Sequence, residues 1–416
     1  MAFTIKQTKW IEKKIGDGCI VGDGAHAKIK RQRSGVLYLT CKNFKNGGLD
    51  LSKLDYISEE DYQKYFRENS KALTKVKADD VLFSIIGTIG EPYLVNSQDR
   101  FGISSSVSIL RPDTTVLYPK YVYYWIKGHI FQNALYGIKG GVAQGYVSLE
   151  MIKTLPLHYP PLPIQRKIAA ILSAYDRLIE NNTRRIEILE EMARSIYREW
   201  FVKFRFPGHE QVQMVDSELG LIPEGWEVKN FGEVSLNFDS KRKPLSSIQR
   251  TEMKGEYPYY GASGIIDYVE NYILDGKYLL ISEDGENLNS RKKPIAFFAY
   301  KKFWVNNHAH IVQGKPPIST EFLYLLISDL NIAGYITGAA QPKFSQANLN
   351  RIPLVVPTDD LLKLFNQIAE NLLNQMEILG RKNANLRKTR DLLLPRLISG
   401  EIDVENLDIN TGEIAA

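Results

Sequence analysis

One stretch of sequence decides the fold: residues 160–204, which read PPLPIQRKIAAILSAYDRLIENNTRRIEILEEMARSIYREWFVKF. Its apolar residues recur every three or four positions, which is the spacing of an amphipathic helix. Prolines at the start suit helix entry, and Pro207-Gly208 supplies a stop. At 1.5 Å per residue, a helix of about 40 residues is about 60 Å long. We therefore predict a long helix over residues 158–205.

A second long helix is predicted over residues 356–398, because its apolar positions repeat those of the first at a constant shift along the chain. Leu361 falls on Ile164 and Phe365 falls on Ile168. One such helix could pack on its own domain, but two matched helices bury both apolar seams by pairing as an antiparallel coiled coil. The predicted seam residues are Ile164, Ile168, Ile171, Leu178, Leu189, Leu361, Phe365, Ile368, Leu372 and Leu386.

The chain also repeats itself outside the helices. At the same shift of 197, GVAQGYVSLEMIKTLPL (141–157) aligns with GAAQPKFSQANLNRIPL (338–354). At a shift of 216, WIEKKIGD from Trp10 aligns with WEVKNFGE from Trp226. The segments between these anchors differ more. Since an internal repeat reveals the architecture, each half is interpreted as similar ends around a divergent middle.

The divergent middles alternate apolar strand-like runs, such as 81–86 and 278–282, with turns rich in Gly, Asn and Asp. We therefore predict an α+β fold with two mixed α/β domains in pseudo-two-fold repeat, separated by the paired helices. The predicted boundaries are 1–157 for domain one, 158–205 for helix one, 206–221 for a linker, 222–355 for domain two, 356–398 for helix two and 399–416 for an acidic tail.

Composition places few limits on function. The 416 residues are 44% hydrophobic with a formal charge of +5, which suits two or three globular domains and weakly favours an anionic partner. No secretory signal and no apolar run of about 20 residues is present. The two cysteines cannot build a disulfide framework, so we expect a cytoplasmic protein without membrane contact.

No established catalytic motif is found. The sequence contains no Walker loop, GxGxxG, GxSxG or methyltransferase tetrad. His308 and His310 suit alternating positions on a strand better than a metal site. The loose pattern of Asp216, Glu227 and Lys229 would suit a metal-dependent nuclease, although Lys229 is also the repeat partner of a lysine near the N-terminus. We predict no catalytic or metal-binding residue and keep the nuclease as an alternative.

Cationic clusters lie at comparable places in both halves, soon after Trp10 and soon after Trp226. Lysine and arginine in such clusters contact DNA phosphates, or else form an ordinary solvated surface. A glutamine in each repeated Gly/Ala loop could pair with adenine or simply complete a turn. The DNA-binding candidates are Lys28, Lys30, Arg31, Arg33, Gln144, Lys241, Arg242, Lys243, Gln341 and Lys343.

With these residues in view, the chain resembles the specificity subunit of type I restriction-modification systems. The resemblance covers nearly the whole sequence and is carried by residues 160–204, by LRKTRDLLLPRLISGEIDV (386–404), by IPEGWEVKNFGEV (222–234) and by YYGASGIIDYV (259–269).

The resemblance implies that each domain reads one half of a bipartite, asymmetric double-stranded DNA target, with the helices as the ruler. It also implies a non-catalytic chain without its own cofactor. Two adenine methyltransferase (modification) subunits using S-adenosylmethionine would bind to it, and restriction subunits using ATP and Mg would join them. A stand-alone DNA-binding regulator remains the other alternative.

Overall fold

The computed structural model describes residues 10–45, 47–68, 72–139, 147–285, 287–290, 293–338 and 341–411. The chain divides into two units. Unit one contains residues 1–181 and 383–416, and unit two contains residues 182–382. Each long helix therefore contributes a segment to both units, and unit one is assembled from two separate pieces of chain.

The elements of unit one alternate short strands with helices. Its strands are β1 (Ile11–Lys14), β2 (Cys19–Asp23), β3 (Val36–Leu39), β4 (Phe44–Lys45), β5 (Gly48–Leu49), β6 (Asp55–Ile57), β7 (Val81–Ser84), β8 (Pro92–Leu94), β9 (Phe101–Ile103), β10 (Val107–Pro112) and β11 (Pro156–Tyr159). Its helices are α1 (Ile15–Gly18), α2 (Glu59–Tyr65), α3 (Pro119–Lys127), α4 (His129–Lys139), α5 (Leu149–Lys153) and the first part of α6 (Leu162–Tyr197).

Unit two also alternates strands with short helices, and several of its strands are longer. Its strands are β12 (Met214–Ser217), β13 (Gly220–Pro223), β14 (Glu227–Asn230), β15 (Ser235–Asn237), β16 (Lys254–Gly261), β17 (Gly264–Val269), β18 (Leu274–Ser282), β19 (Ala296–Val305), β20 (Ala309–Gly314) and β21 (Pro353–Val356). Its helices are α7 (Phe231–Val234), α8 (Ser247–Glu252), α9 (Asn287–Ser290), α10 (Thr320–Asp329), α11 (Gln346–Asn350) and the first part of α12 (Asp359–Ile398).

The main sheets of the two units share one topology. Unit one has the strand order β2-β10-β7-β8, and unit two has β15-β20-β18-β19 followed by β16 and β17. A parallel pair is present in both units, β3 with β9 and β16 with β19. The prediction of a repeated, mixed α/β fold is confirmed.

The repeated sequence anchors meet where each half closes on itself. Strand β1 pairs with β11 so that Lys13 opposes Leu157, and β14 pairs with β21 so that Lys229 opposes Leu354. The repeated serines cap equivalent helices, since Ser148 Oγ accepts from the Met151 N–H and Ser345 Oγ accepts from the Asn348 N–H.

The repeated glycines have a packing reason. A Cβ atom on Gly16 would lie 3.0 Å from the Lys153 side chain, and one on Gly232 would lie 3.0 Å from the Asn350 side chain. These contacts join α1 to α5 and α7 to α11. The similar ends of the two halves thus pair with each other in the same way in both units.

The long helices run antiparallel within each unit. In unit one, Arg390 pairs with Asp176 at 2.6 Å, and Lys167 donates to the Glu405 carbonyl oxygen at 2.6 Å. In unit two, the ring of Phe365 lies 4.6 Å from that of Phe201. The later residues of one helix therefore contact the earlier residues of the other, as the paired-helix prediction requires.

Nine of the ten predicted seam residues are at least partly buried. Ile164 and Ile168 lie in the core of unit one, and Ile171 lies at the margin of that core. Phe365 and Leu372 lie in the core of unit two, and its margin contains Leu189, Leu361 and Ile368. Leu386 is half-buried. Leu178 is wrong as a seam residue, because 51% of it is exposed and Ile179 is buried in its place. Adjacent apolar residues on one helix offer two neighbouring faces, and packing selects one of them.

Three predicted boundaries need correction. Helix α6 begins at Leu162 and passes at Tyr197 into a π-helical turn over Arg198–Val202, so it is shorter than 158–205. Helix α12 begins at Asp359 rather than at 356. The predicted linker 206–221 is not irregular, because strands β12 and β13 form a hairpin within residues 214–223. Phe206 also packs on Trp226 at a ring distance of 5.0 Å.

Within the described residues, the structure contains no helix that is both long enough and apolar enough to span a membrane.

We predict that Ile168→Ala destabilises the protein and that Leu178→Ala does not. Ile168 is 1% exposed, so its truncation leaves a cavity that costs about 2–5 kcal/mol of unfolding free energy. The exposed Leu178 should cost less than about 0.5 kcal/mol. Urea denaturation followed by tryptophan fluorescence measures both, and equal losses would contradict the assigned helix face.

Candidate nucleic-acid interface

In each unit, described loops converge at one end of the main sheet, and we call this region the loop end. In unit two it comprises residues 238–243 after β15, residues 283–285 after β18, residues 306–308 between β19 and β20, and residues 337–338 and 341–345 before α11. These connections lie away from the closure strands β14 and β21. Loops held by a rigid sheet are common sites of binding.

Glu283 connects three of these loops in unit two. Its carboxylate lies 2.5 Å from the Arg242 guanidinium and 3.2 Å from the Lys343 ammonium. The Arg242 guanidinium also donates to the Asn307 carbonyl oxygen at 3.4 Å. Residues that are a hundred positions apart in sequence thus share one ion-pair network.

The buried residue His310 on β20 contacts two segments of the same region. Its Nε2 lies 2.7 Å from the carbonyl oxygen of Phe344, and its Nδ1 lies 2.6 Å from Asp239 Oδ2. The second oxygen of Asp239 accepts from the Ile311 N–H at 2.8 Å. Both ring nitrogens thus lie within hydrogen-bond distance of an oxygen atom. The buried ring therefore links β20 to the segment after β15 and to the segment before α11.

The two carboxylates of this network are held in the ionised form. Burial acts to raise the pKa of Asp239, but hydrogen bonding and charge from His310, helped by Arg242, lower it below its ordinary value of 3.8. Burial likewise acts to raise the pKa of Glu283, but Arg242, His310 and Lys343 lower it below its ordinary value of 4.5. The network is thus an ionised cluster with partners for both acids.

Asp239, Glu283 and His310 are, among the described residues, the one group of three acidic or histidine side chains close enough to share a metal ion. Their lone pairs are already used, because Glu283 accepts from two cations and Asp239 faces the imidazole. Arg242 and Lys343 would also repel a metal ion at this position. The arrangement suits fixing loops, and it does not fit a metal centre.

The predicted basic residues of unit two are brought to the loop end, but they differ in exposure. Lys241 and Lys243 are exposed, whereas Arg242 is partly buried and occupied by Glu283. Arg242 therefore holds the loop in place, and its contact with DNA stays a prediction. Lys343 keeps 55% of its side chain exposed while it pairs with Glu283.

Gln341 lies in a tight loop that is closed by two backbone hydrogen bonds between Thr337 and Lys343, at 2.8 and 2.9 Å. Gly338 in this loop has φ +84°, and a Cβ there would lie 2.3 Å from the Gln341 carbonyl oxygen. The Gln341 side chain is exposed. It is therefore presented to solvent, as base reading requires, and its contact with a base stays a prediction.

The predicted basic residues of unit one follow β2. Lys28, Lys30 and Arg33 are exposed. Arg31 is exposed as well, but its guanidinium lies 3.8 Å from the centre of the Tyr38 ring and 3.4 Å from the carboxylate of Asp55. Stacking and ion pairing give Arg31 a role in holding this segment. Gln144 lies outside the described residues.

The nuclease pattern is not assembled in the structure. Glu227 and Lys229 form an ion pair at 2.8 Å on strand β14, and Asp216 is exposed on the separate hairpin β12–β13. Neither acid belongs to the one metal-compatible group in the described part of the chain. His308 pairs with Asp284 at 2.8 Å rather than with His310.

Two segments of the chain match one family model, over residues 8–191 and 223–388. The model describes the type I restriction modification DNA specificity domain. The chain belongs to this family. The two matched segments correspond to the two halves recognised in the sequence repeat.

Known specificity subunits resemble the chain along nearly its whole length. The type I restriction enzyme MjaIX specificity subunit of Methanocaldococcus jannaschii is 26% identical over 96% of this chain and 94% of its own length. The putative MjaX specificity subunit of the same organism is 25% identical over 93% of this chain and 92% of its own length.

A solved structure shares the fold. The crystal structure of the type I restriction-modification S subunit from M. genitalium superposes with a TM-score of 0.61, at 16% identity, over 95% of this chain and 98% of that one. The recognition of this specificity family from sequence is confirmed.

The sequence reasoning missed the buried network beneath the second loop end. Asp239 and Glu283 were not singled out, because no local motif relates them to a histidine on another strand. The alternating His308 and His310 were the available signal. That spacing puts both on one face of a strand in principle, but only the fold shows that the second one is buried between acids.

We predict that replacing Lys28, Lys30 and Arg33 together by glutamine weakens DNA binding and flattens its salt dependence. Each lost phosphate contact should reduce the slope of log affinity against log salt by about one. Fluorescence anisotropy of the full chain on duplex DNA at several salt concentrations measures the slope. Arg31→Gln is the matched control, which should change the slope less because Asp55 already pairs with that residue. An unchanged slope in the triple variant would show that the three side chains are ordinary surface.

We predict that Glu283→Gln lowers stability at neutral pH by about 1–3 kcal/mol, because Arg242 loses its carboxylate partner. A carboxylate whose pKa falls on folding stabilises the protein above its unfolded pKa, here about 4.5, and loses that contribution as the pH falls through the folded value. The difference between wild type and variant should therefore shrink below about pH 4. Urea denaturation at pH 7 and at acid pH tests this, and a constant difference would contradict it.

Proposed function

We propose that this chain is the non-catalytic sequence-recognition subunit of a type I restriction-modification complex, and that each unit reads one half of a bipartite, asymmetric DNA target. The observation that carries the proposal is the duplicated framework. Each unit presents loops at the corresponding end of its own main sheet, and exposed lysine or arginine residues lie beside these loops. The loop sequences differ between the two units. Two different readers on one framework suit a target with two different halves.

The two long helices set the spacing between the half-sites in this proposal and dock the modification subunits. Both helices keep apolar side chains exposed: Leu178 and Leu392 in unit one, and Ile188, Met192, Leu364 and Ile378 in unit two. Exposed apolar residues on a rigid surface support a protein partner. Two copies of an adenine methyltransferase suit a chain built from two similar halves.

Catalysis belongs to the partner subunits in this proposal. S-adenosylmethionine would be bound by the methyltransferases, and ATP and Mg by the restriction subunits that join the complex. The complex would act on double-stranded DNA in the cytoplasm. The sequence supports this division of labour because the catalytic motifs that were sought do not occur in it.

The proposal predicts the composition of the complex. Co-purification of the full chain with the adenine methyltransferase encoded beside it should yield two methyltransferases per chain, as measured by native mass spectrometry. A chain that remains alone but binds specific DNA would support a regulator instead. Cleavage of DNA by the isolated chain would support the nuclease alternative.

Leu178→Asp combined with Leu392→Asp should reduce the number of bound methyltransferases, because a charge on an exposed apolar contact must lose its hydration on docking. Lys388→Asp is the matched control, since it reverses a charge at an exposed position of the same helix. Equal complexes from both variants would show that these leucines do not contact the partner.

A further inference from the structure

An exposed apolar tip ends the β16–β17 hairpin of unit two. Gly261 pairs with Gly264, so Ala262 and Ser263 form a two-residue turn. Directly after this turn, Ile265 is 46% exposed and Ile266 is 54% exposed. Strand β17 is the edge strand of the six-stranded sheet. Two adjacent solvent-facing isoleucines at a hairpin tip indicate an interaction site, because exposed apolar residues more often occur singly.

The tip is attached to the loop end. The Ala262 carbonyl oxygen accepts a hydrogen bond from Ser282 Oγ, whose neighbour in sequence is Glu283. The Tyr260 carbonyl oxygen accepts from the Asn306 N–H at 3.1 Å. The adjacent residue Val305 accepts at 3.3 Å from the N–H of Lys243. The apolar tip therefore lies beside the exposed lysines of the candidate interface.

The same position in unit one has the same framework but a different connection. The Leu39 carbonyl oxygen accepts from the Ser104 N–H at 2.9 Å, as Tyr260 does from Asn306. Between Tyr38 and its strand partner Asp55, however, the chain forms a long excursion with its own small hairpin, β4–β5. Leu51 and Leu54 are exposed in that excursion. The two units thus share the strands at this point and differ in the connection.

We propose that the β16–β17 tip enters the major groove of one half-site and that Ile265 and Ile266 contact thymine methyl groups there. This inference rests on the proposed function. A two-stranded ribbon fits the major groove, and the thymine methyl is the apolar group exposed in it. A Cβ on Gly264 would meet nothing within 4 Å, which leaves the tip free to approach a base. Lys241, Lys243 and Lys343 supply phosphate contacts beside it.

The first experiment maps the target of the full complex with its methyltransferase partner, by sequencing methylated adenines in genomic DNA. Ile266→Ser should relax the requirement for thymine at one position of one half-site and leave the other half-site unchanged. Leu236→Ser is the matched control, because Leu236 is an exposed apolar residue on the opposite edge strand of the same sheet. It should leave both half-sites unchanged.

A second experiment probes the methyl group itself with the wild-type complex, so it does not depend on how well a variant folds. Replacing the relevant thymine by uracil removes one methyl and should weaken binding about fourfold. The Ile266→Ser complex should bind both duplexes equally, and Ile266→Val should retain most of the preference for thymine.

Three outcomes would overturn the assignment. They are a wild-type complex that is indifferent to uracil at every thymine of both half-sites, an Ile266→Ser target identical to that of the wild type, and equal loss at both half-sites. A wild-type chain that directs methylation to no bipartite target would instead contradict the proposed function. The two failures are thus distinguishable.

Discussion

Each unit completes its core by packing one end of α6 against the opposite end of α12, and the rest of the structure depends on this pairing. In unit one, Ile168 and Leu172 near the start of α6 are buried in one cluster with Leu397 and Ile398 from the end of α12. In unit two, Tyr197 from the end of α6 is buried with Phe365 from the start of α12. The hydrophobic effect therefore selects antiparallel pairing in each unit, because no other direction buries both sets of residues.

The closure of each half builds on that core. Strand pairs β1–β11 and β14–β21 bring the first and last elements of each half together, and the short helices α1 and α7 fit against α5 and α11 only where a glycine leaves room. The repeated acids complete the same turn, because Asp17 accepts from the Lys14 N–H and Glu233 accepts from the Asn230 N–H. This closure is similar in both halves because one steric solution serves both.

The loop ends are stabilised in a different way from the paired ends of each half. Their backbone is held by the sheet beneath, while the side chains that face solvent are free to vary. In unit two, the carboxylate of Glu283 and the imidazole of His310 fix the loops by ionic contacts. In unit one, the residue at the position equivalent to His310 is Ser108, whose hydroxyl donates to the Gly22 carbonyl oxygen. The two units therefore hold similar loops by different means, as expected of readers with different targets.

The sequence by itself determined the repeat, the two long helices, the mixed α/β class and the family, since periodicity and long motifs are local or colinear signals. The tertiary structure alone decided which of Leu178 and Ile179 is buried, because a helix with adjacent apolar residues offers two faces and only its partner selects one. It also decided that Arg242 is partly buried against Glu283 and that the exposed Arg31 is paired with Asp55, while Lys241, Lys243, Lys28 and Lys30 face solvent. The sequence shows which residues are charged, but the ion-pair partner of a charge is often distant in sequence. Only the folded chain therefore distinguishes a cation with an intramolecular partner from one that is available to DNA.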